Sequence, residues 1–277
     1  MIALILLVLI ERLDSGFRSA EQVESHSGLP ALGLVPEIRS KKQRGDLQRY
    51  LREQPLSPYA ESIRNLQVSL ALADVDNPVK SIVVTAASPE EGKSTLAYSL
   101  AQTSARLGKK TVLVDCDLRR PVQHENAKLD RAPGLVELLA QQASMNDVLR
   151  KEQNSGMYII CAGEPAPNPP DLLASQHMRE LIGKLSEQFD LVILDTPPVM
   201  AVSDARILGR MVDRVVMVVR WAKTRRESAV YTAKQLTEAG ARVAGMVLTR
   251  VDIRKHADYG FADSGYFHKK YAKYYND

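Results

Sequence analysis

The strongest constraint on the fold of this 277-residue chain is an alternation of short apolar runs with longer stretches of helical periodicity. The apolar runs, rich in β-branched residues, occupy residues 81–85, 111–114, 157–161, 191–194, 214–219 and 243–248. Apolar residues with helical spacing occur at 57–72, 93–107, 135–140, 171–189, 204–211 and 227–239. Strands without a polar face, alternating with helices, predict a mostly parallel, doubly wound α/β sheet with helices on both faces.

Composition excludes several other classes of protein. Hydrophobic residues make up 45% of the chain and charged residues 25%, which excludes a disordered or collagen-like chain. The 37 Lys and Arg residues nearly balance the 33 Asp and Glu residues, and a net charge of +4 gives no reason to expect nucleic acid as a partner. Cys116 and Cys161 lack metal-ligand spacing and are expected in the core of a protein from a reducing compartment.

The N-terminal region differs from the rest in its polarity. Residues 1–10 are wholly apolar, and as a helix they would cover about 15 Å, half of the roughly 30 Å hydrocarbon layer. A signal peptide would have a basic start and a small-residue cleavage site, and neither is present. We interpret residues 1–14 as the end of a truncated transmembrane helix, with an apolar helix packed on the domain as the alternative. Residues 15–55, which carry a basic cluster at 39–44, are predicted to be a juxtamembrane linker.

The first motif with clear chemistry follows the first predicted strand. It is a variant of the P-loop, Gly-x4-Gly-Lys-Ser/Thr, in which Ala87 stands where the first Gly would be. In such a loop the backbone N–H groups surround the phosphates, Lys93 neutralises them and the Ser94 hydroxyl ligates Mg²⁺. A polar turn before a helix is the alternative. The predicted nucleotide-binding residues of the loop are Ser88, Pro89, Glu90, Glu91, Gly92, Lys93, Ser94 and Thr95.

Three carboxylates follow two of the other predicted strands. Asp115 and Asp117 come directly after the run at 111–114, and Asp195 ends the run at 191–194 in the form of a Walker B motif. Because the carboxyl ends of parallel strands lie at one edge of a sheet, we expect these groups beside the P-loop, flanking Mg²⁺ and the transferred phosphoryl group. Each Asp taken alone is also compatible with a turn cap. Arg250, near the end of the last predicted strand, is a candidate for stacking on the nucleotide base.

These motifs together resemble a known family. Residues 87–95, 112–121 and 191–199 are similar to the Walker A, Walker A′ and Walker B motifs of the bacterial tyrosine kinases, the cytoplasmic part of capsule and exopolysaccharide co-polymerases. The stretches 167–173 and 202–205 also resemble the family. The resemblance implies a P-loop NTPase-like kinase domain at residues 56–252. It further implies Lys93, Asp115 and Asp117 as catalytic residues, with Asp115 accepting or orienting the tyrosine proton. It implies Ser94, Asp117 and Asp195 as magnesium ligands.

The same resemblance implies a ring-like homo-oligomer, with an octamer as the candidate assembly. Family members join neighbours through a Glu-x-x-Arg-x-x-Arg motif in the first helix of the domain. Glu61 and Arg64 match that motif, whereas Gln67 replaces the second Arg. Glu61 and Arg64 are therefore predicted to lie at an oligomer interface, and an i,i+3 ion pair within one chain is the alternative.

Residues 253–277 are predicted to be a flexible, tyrosine-rich tail that resembles the cluster this family autophosphorylates. From Arg250 to Tyr274 the chain can extend up to roughly 80 Å, at about 3.3 Å per residue, which would reach a neighbouring subunit. A tail packed on the domain is the alternative. The predicted phosphoacceptors are Tyr266, Tyr271, Tyr274 and Tyr275.

The resulting prediction is a protein tyrosine kinase that depends on ATP and Mg²⁺ and lies at the cytoplasmic face of the bacterial inner membrane. It would phosphorylate its own tail, mainly between subunits, and so regulate a polysaccharide synthesis and export complex. The implied partners are the membrane co-polymerase portion, a protein tyrosine phosphatase and sugar-metabolising enzymes. Two alternatives are a partitioning-type P-loop ATPase, which would carry an extra Lys where Ser88 stands, and a nucleotide-gated scaffold without catalysis.

Overall fold

The computed structural model describes residues 15–40, 43, 46–72 and 78–256. The predicted transmembrane end at residues 1–14 lies outside the described residues. So do residues 257–277 of the predicted tail, with all four candidate phosphoacceptor tyrosines. Among the helices that are described, none combines the length and apolar character needed to cross a membrane.

A mixed sheet of eight strands forms the centre of the described structure. The strands are β1 (Ala31–Pro36), β2 (Ser81–Ala86), β3 (Thr111–Asp115), β4 (Arg150–Lys151), β5 (Tyr158–Ile160), β6 (Leu191–Asp195), β7 (Arg214–Arg220) and β8 (Val243–Val251). Their spatial order is β1-β8-β7-β2-β6-β3-β5-β4. All neighbours are parallel except β4 and β5, which are antiparallel. The predicted doubly wound α/β fold is confirmed.

Helices cover both faces of this sheet. Within the described ranges they are α1 (Ala20–Ser27), α2 (Leu47–Glu53), α3 (Pro58–Leu72), α4 (Lys93–Arg106), α5 (Gln123–Ala127), α6 (Leu135–Leu139), α7 (Met145–Val148), α8 (Pro169–Ala174), α9 (Gln176–Gln188), α10 (Asp204–Gly209), α11 (Arg226–Glu238) and α12 (Ile253–His256). The start of α3 follows the sequence signal, because the Ser57 hydroxyl accepts from the N–H of Ala60 at 3.2 Å and Pro58 occupies the first turn.

The core consists of two apolar layers, one on each face of the sheet. Alternate residues of β2 point to opposite layers, so Ile82 packs with α3 and α4 while Val83 packs with α9, α10 and α11. Each aliphatic side chain buried in this way contributes about 1.5–3 kcal/mol of transfer free energy. Cys116 and Cys161 are free and buried, as expected. The two layers fix β2, β6 and β3 side by side.

The described parts of residues 15–55 are packed on the domain and do not form a separate linker. Strand β1 pairs with β8, and Leu32, Leu34 and Val35 are buried. Phe17 is fully buried as well, and Gly16 forms a bridge to Arg225. The Gly and Pro residues that indicate a connector are compatible with an edge strand, where a missing N–H costs no sheet hydrogen bond.

The helix expected over residues 171–189 is two helices, α8 and α9. Ser175 interrupts them with an extended backbone, φ −64° and ψ 161°. Its hydroxyl accepts from the N–H of Met178 at 3.2 Å and so caps α9. The apolar periodicity continues across the break, which is why the pattern alone indicates one helix.

Candidate active site at the carboxyl edge of the sheet

The P-loop connects strand β2 to helix α4, as its sequence predicts. Two of its residues have left-handed backbone, Glu90 with φ 63° and Gly92 with φ 93°. Gly92 is the residue before α4, and there the absence of a side chain removes the strain of that conformation. The loop therefore reaches the N-terminus of α4, where unpaired N–H groups and the helix dipole favour phosphate.

The side chain of Glu91 holds the loop from within. It is 4% exposed, and its Oε2 accepts from the N–H groups of Ala87 at 3.0 Å and Ser88 at 3.2 Å. Its Oε1 accepts from the Thr224 hydroxyl at 2.6 Å, and the Thr249 hydroxyl donates to its carbonyl oxygen. Burial raises the pKa of the Glu91 carboxyl above its ordinary value despite these hydrogen bonds. Because the carboxylate is occupied by protein groups, only the backbone of Glu91 is available to a phosphate.

Lys93 brings the predicted phosphate and metal residues together. Its Nζ donates to Asp117 Oδ2 at 2.8 Å and to Ser94 Oγ at 2.9 Å, and it lies 3.6 Å from Asp195 Oδ1. Burial of the ammonium opposes its charge, but attraction to Asp195 and Asp117 outweighs burial and raises the pKa of Lys93. The three motifs therefore converge on one cation, as the topology predicts.

Asp115 and Asp195 are paired across strands β3 and β6, and both are fully buried. Asp115 accepts from the backbone N–H groups of Asp117 at 3.2 Å, Val122 at 3.2 Å and Gln123 at 3.0 Å. Burial and repulsion from Asp195 nevertheless raise the pKa of Asp115 to about 8, and burial also raises the pKa of Asp195. Two enclosed carboxyl groups beside one lysine therefore take up a proton readily, and a second cation at this edge would favour their charged form.

A buried glutamine links the three motifs. Gln123, the first residue of α5, donates through Nε2 to Asp195 Oδ2 at 2.8 Å and to the carbonyl oxygen of Ser94 at 3.0 Å. Its backbone N–H binds Asp115. No sequence motif marks Gln123, since its contacts exist only after β3, β6 and α4 have been brought together. The one local signal is its position eight residues after Asp115, at the end of the connection from β3 to α5.

The residues present fit a magnesium ion. Asp195 Oδ1 is a buried oxygen without a hydrogen-bond partner, although Lys93 lies nearby. Over the described residues, no group of three or more His, Cys, Asp or Glu side chains is arranged to hold a metal by itself. In P-loop proteins Mg²⁺ is held by a hydroxyl, water and the nucleotide phosphates, and the Ser94 hydroxyl and Asp195 Oδ1 are oxygen ligands of the kind it prefers.

A cavity of about 500 Å³ opens beside these groups. The P-loop residues 89–95 other than Glu91 line one side, and Asp117, Arg119 and Pro197 lie around the rest. Arg250, with φ 52°, borders this cavity and a neighbouring apolar pocket that also contains Tyr59. Asp117 thus lies on the cavity wall, whereas Asp115 is not among its lining residues.

Glu61 and Arg64 lie on α3, away from the cavity lining. Arg64 donates to Glu61 through Nε at 2.9 Å and to the carbonyl oxygen of Pro55 at 2.7 Å. The two side chains are each 28% exposed, so they form a partly exposed i,i+3 pair within the chain. Their place at an oligomer interface stays a prediction.

Comparison with known proteins gives the family. Residues 79–243 match the family model of an AAA domain. The chain is 36% identical over 208 residues to the tyrosine-protein kinase YwqD of Bacillus subtilis, a match that covers 75% of this chain and 88% of YwqD. The chain belongs to the bacterial tyrosine-protein kinases. The kinase domain of Escherichia coli ETK resembles this kinase with a TM-score of 0.81 and 31% identity, over 85% of this kinase and 95% of the ETK chain.

Two further similarities define the extent of the relationship. EpsB of Ralstonia nicotianae is 34% identical over 270 residues, which is 95% of this kinase but 36% of EpsB. This kinase therefore spans about a third of the length of that relative. MinD of Pyrococcus horikoshii, solved with Mg-ADP, has 19% identity and a TM-score of 0.54, which shows a shared fold alone. The fold and relatives together identify this protein as an ATP-dependent tyrosine kinase of the P-loop type.

Proposed function

We propose that this kinase binds ATP and Mg²⁺ at the carboxyl edge of its sheet and phosphorylates tyrosines of its own C-terminal tail. The observation that carries this proposal is the convergence of Ser94, Asp117 and Asp195 on the Lys93 ammonium, at 2.9, 2.8 and 3.6 Å. Phosphoryl transfer depends mostly on positioned charges that stabilise the transferred group. A cation among acidic and hydroxyl groups, beside a cavity of about 500 Å³, suits that requirement.

The loop and the following helix would bind the triphosphate. Backbone N–H groups of residues 90–95 and the dipole of α4 would attract phosphate oxygens. Lys93 would exchange its contact with Asp117 for the β- and γ-phosphates, because a phosphate oxygen offers the same charge-assisted hydrogen bond. Arg250 borders both the cavity and the apolar pocket, which supports the proposal that it would contact the base or ribose.

Ser94, Asp117 and Asp195 would hold Mg²⁺, directly or through water. When bound, the ion supplies charge neutralisation on the phosphate oxygens during transfer. The Asp195 oxygen that lacks a hydrogen-bond partner faces the same region as Lys93. These residues of the chain would orient the phosphate end of the nucleotide.

The geometry favours Asp117 over Asp115 as the carboxylate that meets the acceptor hydroxyl. Both carboxyl groups accept hydrogen bonds, Asp117 from Lys93 and the backbone N–H of Arg120 and Asp115 from three backbone N–H groups, but only Asp117 lines the cavity. Asp115 would then fix the turn that carries Asp117. Little base strength is needed, because a loose phosphoryl-transfer transition state depends on positioning more than on proton removal.

The acceptors would be Tyr266, Tyr271, Tyr274 and Tyr275, mainly on a neighbouring subunit. Residues 255–277 contain four Lys and three Asp, a net charge of +1 with His neutral. Four phosphate groups would add roughly −6 to −8. A reversal of this size would release the tail from an acidic site and loosen an assembly that depends on it.

The assembly would be a ring of identical subunits, with Glu61 and Arg64 at the contacts, on the cytoplasmic face of the inner membrane. The length of EpsB supports a membrane co-polymerase portion in the same or a partner chain. Cycles of phosphorylation and dephosphorylation by a tyrosine phosphatase would then regulate polysaccharide synthesis and export. Sugar-metabolising enzymes are further candidate substrates. Ser88 stands where a partitioning ATPase would have its extra Lys, which argues against that function.

Radiolabelled ATP and phosphoamino-acid analysis test the reaction. The expected product is phosphotyrosine in the chain; free phosphate alone would indicate an ATPase, and neither product a scaffold. The intersubunit step is tested by mixing an inactive Lys93→Met chain with an active chain whose four acceptor tyrosines are changed to Phe. Each chain alone should stay unlabelled, and in the mixture label should enter the Lys93→Met chain. An unlabelled mixture, with an active wild-type control, would contradict transfer between subunits.

A further inference from the structure

The side chain of Gln123 uses both of its donors and its acceptor oxygen at the site. Its amide nitrogen has two N–H groups, and these reach Asp195 Oδ2 at 2.8 Å and the Ser94 carbonyl oxygen at 3.0 Å. Its Oε1 accepts from Asn126 Nδ2 at 3.1 Å. Because Gln123 is fully buried, no water competes for these contacts. The amide is therefore fixed in one orientation, with its donors toward Asp195.

This orientation decides which oxygen of Asp195 is available. Oδ2 is occupied by Gln123, whereas Oδ1 has no hydrogen-bond partner and lies 3.6 Å from Lys93 Nζ. The second donor of Gln123 binds the first turn of α4, which carries the Ser94 hydroxyl. One side chain thus sets the relative position of an oxygen from the Walker B strand and a hydroxyl from the P-loop helix.

We propose that Gln123 is a positioning residue that presents Asp195 Oδ1 and the Ser94 hydroxyl to the magnesium ion of the bound nucleotide. The inference rests on the proposed binding of Mg²⁺ and nucleotide at this site. Residues that orient a metal-binding group commonly change metal affinity about 10- to 100-fold when they are removed. The role assigned to Gln123 therefore concerns the magnesium-dependent part of nucleotide binding and not the binding of the nucleotide alone.

The test is the affinity of the purified kinase for ADP, measured by calorimetry with Mg²⁺ and with EDTA. Gln123→Met keeps the length of the side chain and the backbone N–H to Asp115 but removes both donors. We expect the gain in ADP affinity on adding Mg²⁺ to fall about tenfold, with ADP binding in EDTA changed less than about twofold. The Mg²⁺ concentration that half-saturates tyrosine phosphorylation should rise by a similar factor.

Gln102→Met is the matched control, because Gln102 is also a fully buried glutamine and its amide has no hydrogen-bond partner. It should leave the magnesium effect, the gain in ADP affinity on adding Mg²⁺, unchanged. An unchanged magnesium effect in Gln123→Met, or equal weakening with Mg²⁺ and with EDTA, would overturn the inference. If Gln123→Met does not fold, Asn126→Ala frees the amide and should reduce the magnesium effect about threefold; no reduction there would also overturn the inference. A wild-type protein that does not respond to Mg²⁺ would overturn the proposed function instead.

Discussion

The two sides of the candidate site are organised by different forces. The P-loop is held by hydrogen bonds from Glu91, whose single carboxylate binds two loop N–H groups and the Thr224 hydroxyl. The opposite side contains Asp115, Asp117 and Asp195, three carboxyl groups gathered around the single ammonium of Lys93. Glu91 therefore shapes the loop through contacts within the chain, whereas the carboxylate side keeps a buried oxygen of Asp195 that the proposed Mg²⁺ would bind. Ligand-dependent stability should therefore arise mainly on the carboxylate side.

The change with the largest expected effect is Lys93→Met. It removes the positive charge next to Asp117 and Asp195, so tyrosine phosphorylation should fall at least about 10³-fold. The free energy of unfolding without Mg²⁺ should fall by about 3 kcal/mol, because buried carboxylates lose their partner. Chemical denaturation and phosphotyrosine assays measure both effects, with the exposed Lys109→Met as the control. Undiminished phosphotyrosine in Lys93→Met would show that Lys93 is not required for phosphoryl transfer.

On the P-loop side, Glu91→Ala should lower the free energy of unfolding by less than Lys93→Met does. Ala87 and Ser88 would keep buried N–H groups without partners, which corresponds to about 2 kcal/mol of unfolding free energy. Affinity for ADP should fall about tenfold, since the loop would no longer be fixed before binding. The exposed Glu187→Ala on α9 serves as the control. Normal ADP affinity in Glu91→Ala would show that Glu91 is not needed to shape the P-loop.

The pH dependence of stability is a further test of the buried Glu91 carboxyl. Since burial raises the pKa of Glu91 in the folded state, the folded protein binds the proton more tightly than the unfolded chain, where the pKa is about 4.3. The stability from Glu91 is present below that value and decreases as pH rises through the raised pKa, by at most about 1.4 kcal/mol per pH unit. Glu91→Gln removes this titration, so the variant should gain stability relative to wild type as pH rises above about 4. Urea denaturation without nucleotide measures the difference; a difference independent of pH would contradict the assignment.

Thr224→Val should have the smallest effect. It removes the hydroxyl that donates to Glu91 Oε1 and accepts from the N–H of Arg220 at 2.7 Å. The expected cost is about 1 kcal/mol of unfolding free energy and a two- to threefold loss of ADP affinity. The control is the partly exposed Ser186→Ala, because the hydroxyl of the alternative, Thr237, donates to the carbonyl oxygen of Ala233 within its helix. If Thr224→Val had a larger effect than Glu91→Ala, Thr224 and not Glu91 would be the main support of the P-loop.

The sequence predicts the parts of this site that depend on local patterns and one topological rule. Strands β2, β3 and β6 begin at the predicted residues, and parallel pairing alone brings Lys93, Asp115 and Asp195 to one edge. The roles of Glu91 and Gln123 depend on partners more than 70 residues away, Thr224 for one and Asp195 for the other. No local pattern encodes such partners.

The same reason explains β1, one of the two described strands, with β4, that the sequence does not indicate. Strand β1 contains Gly33 and Pro36, which are typical of connectors, and it is a strand because β8 offers a partner about 215 residues later. Tertiary pairing overrides local propensity there. At Ser175 the reverse holds, since a local cap divides a stretch whose apolar periodicity is continuous.

Strand β1 also covers the edge of β8 and so prevents other extended chains from pairing with it. A nine-residue apolar strand such as β8, left at the border, would offer a row of free N–H and C=O groups to any other extended chain. Covering it with a short strand that ends in Pro36 leaves a poor template on that side, and the two-residue β4 does the same on the other. A version of this kinase shortened to begin at residue 56 would lose that cover and tend to associate through β8.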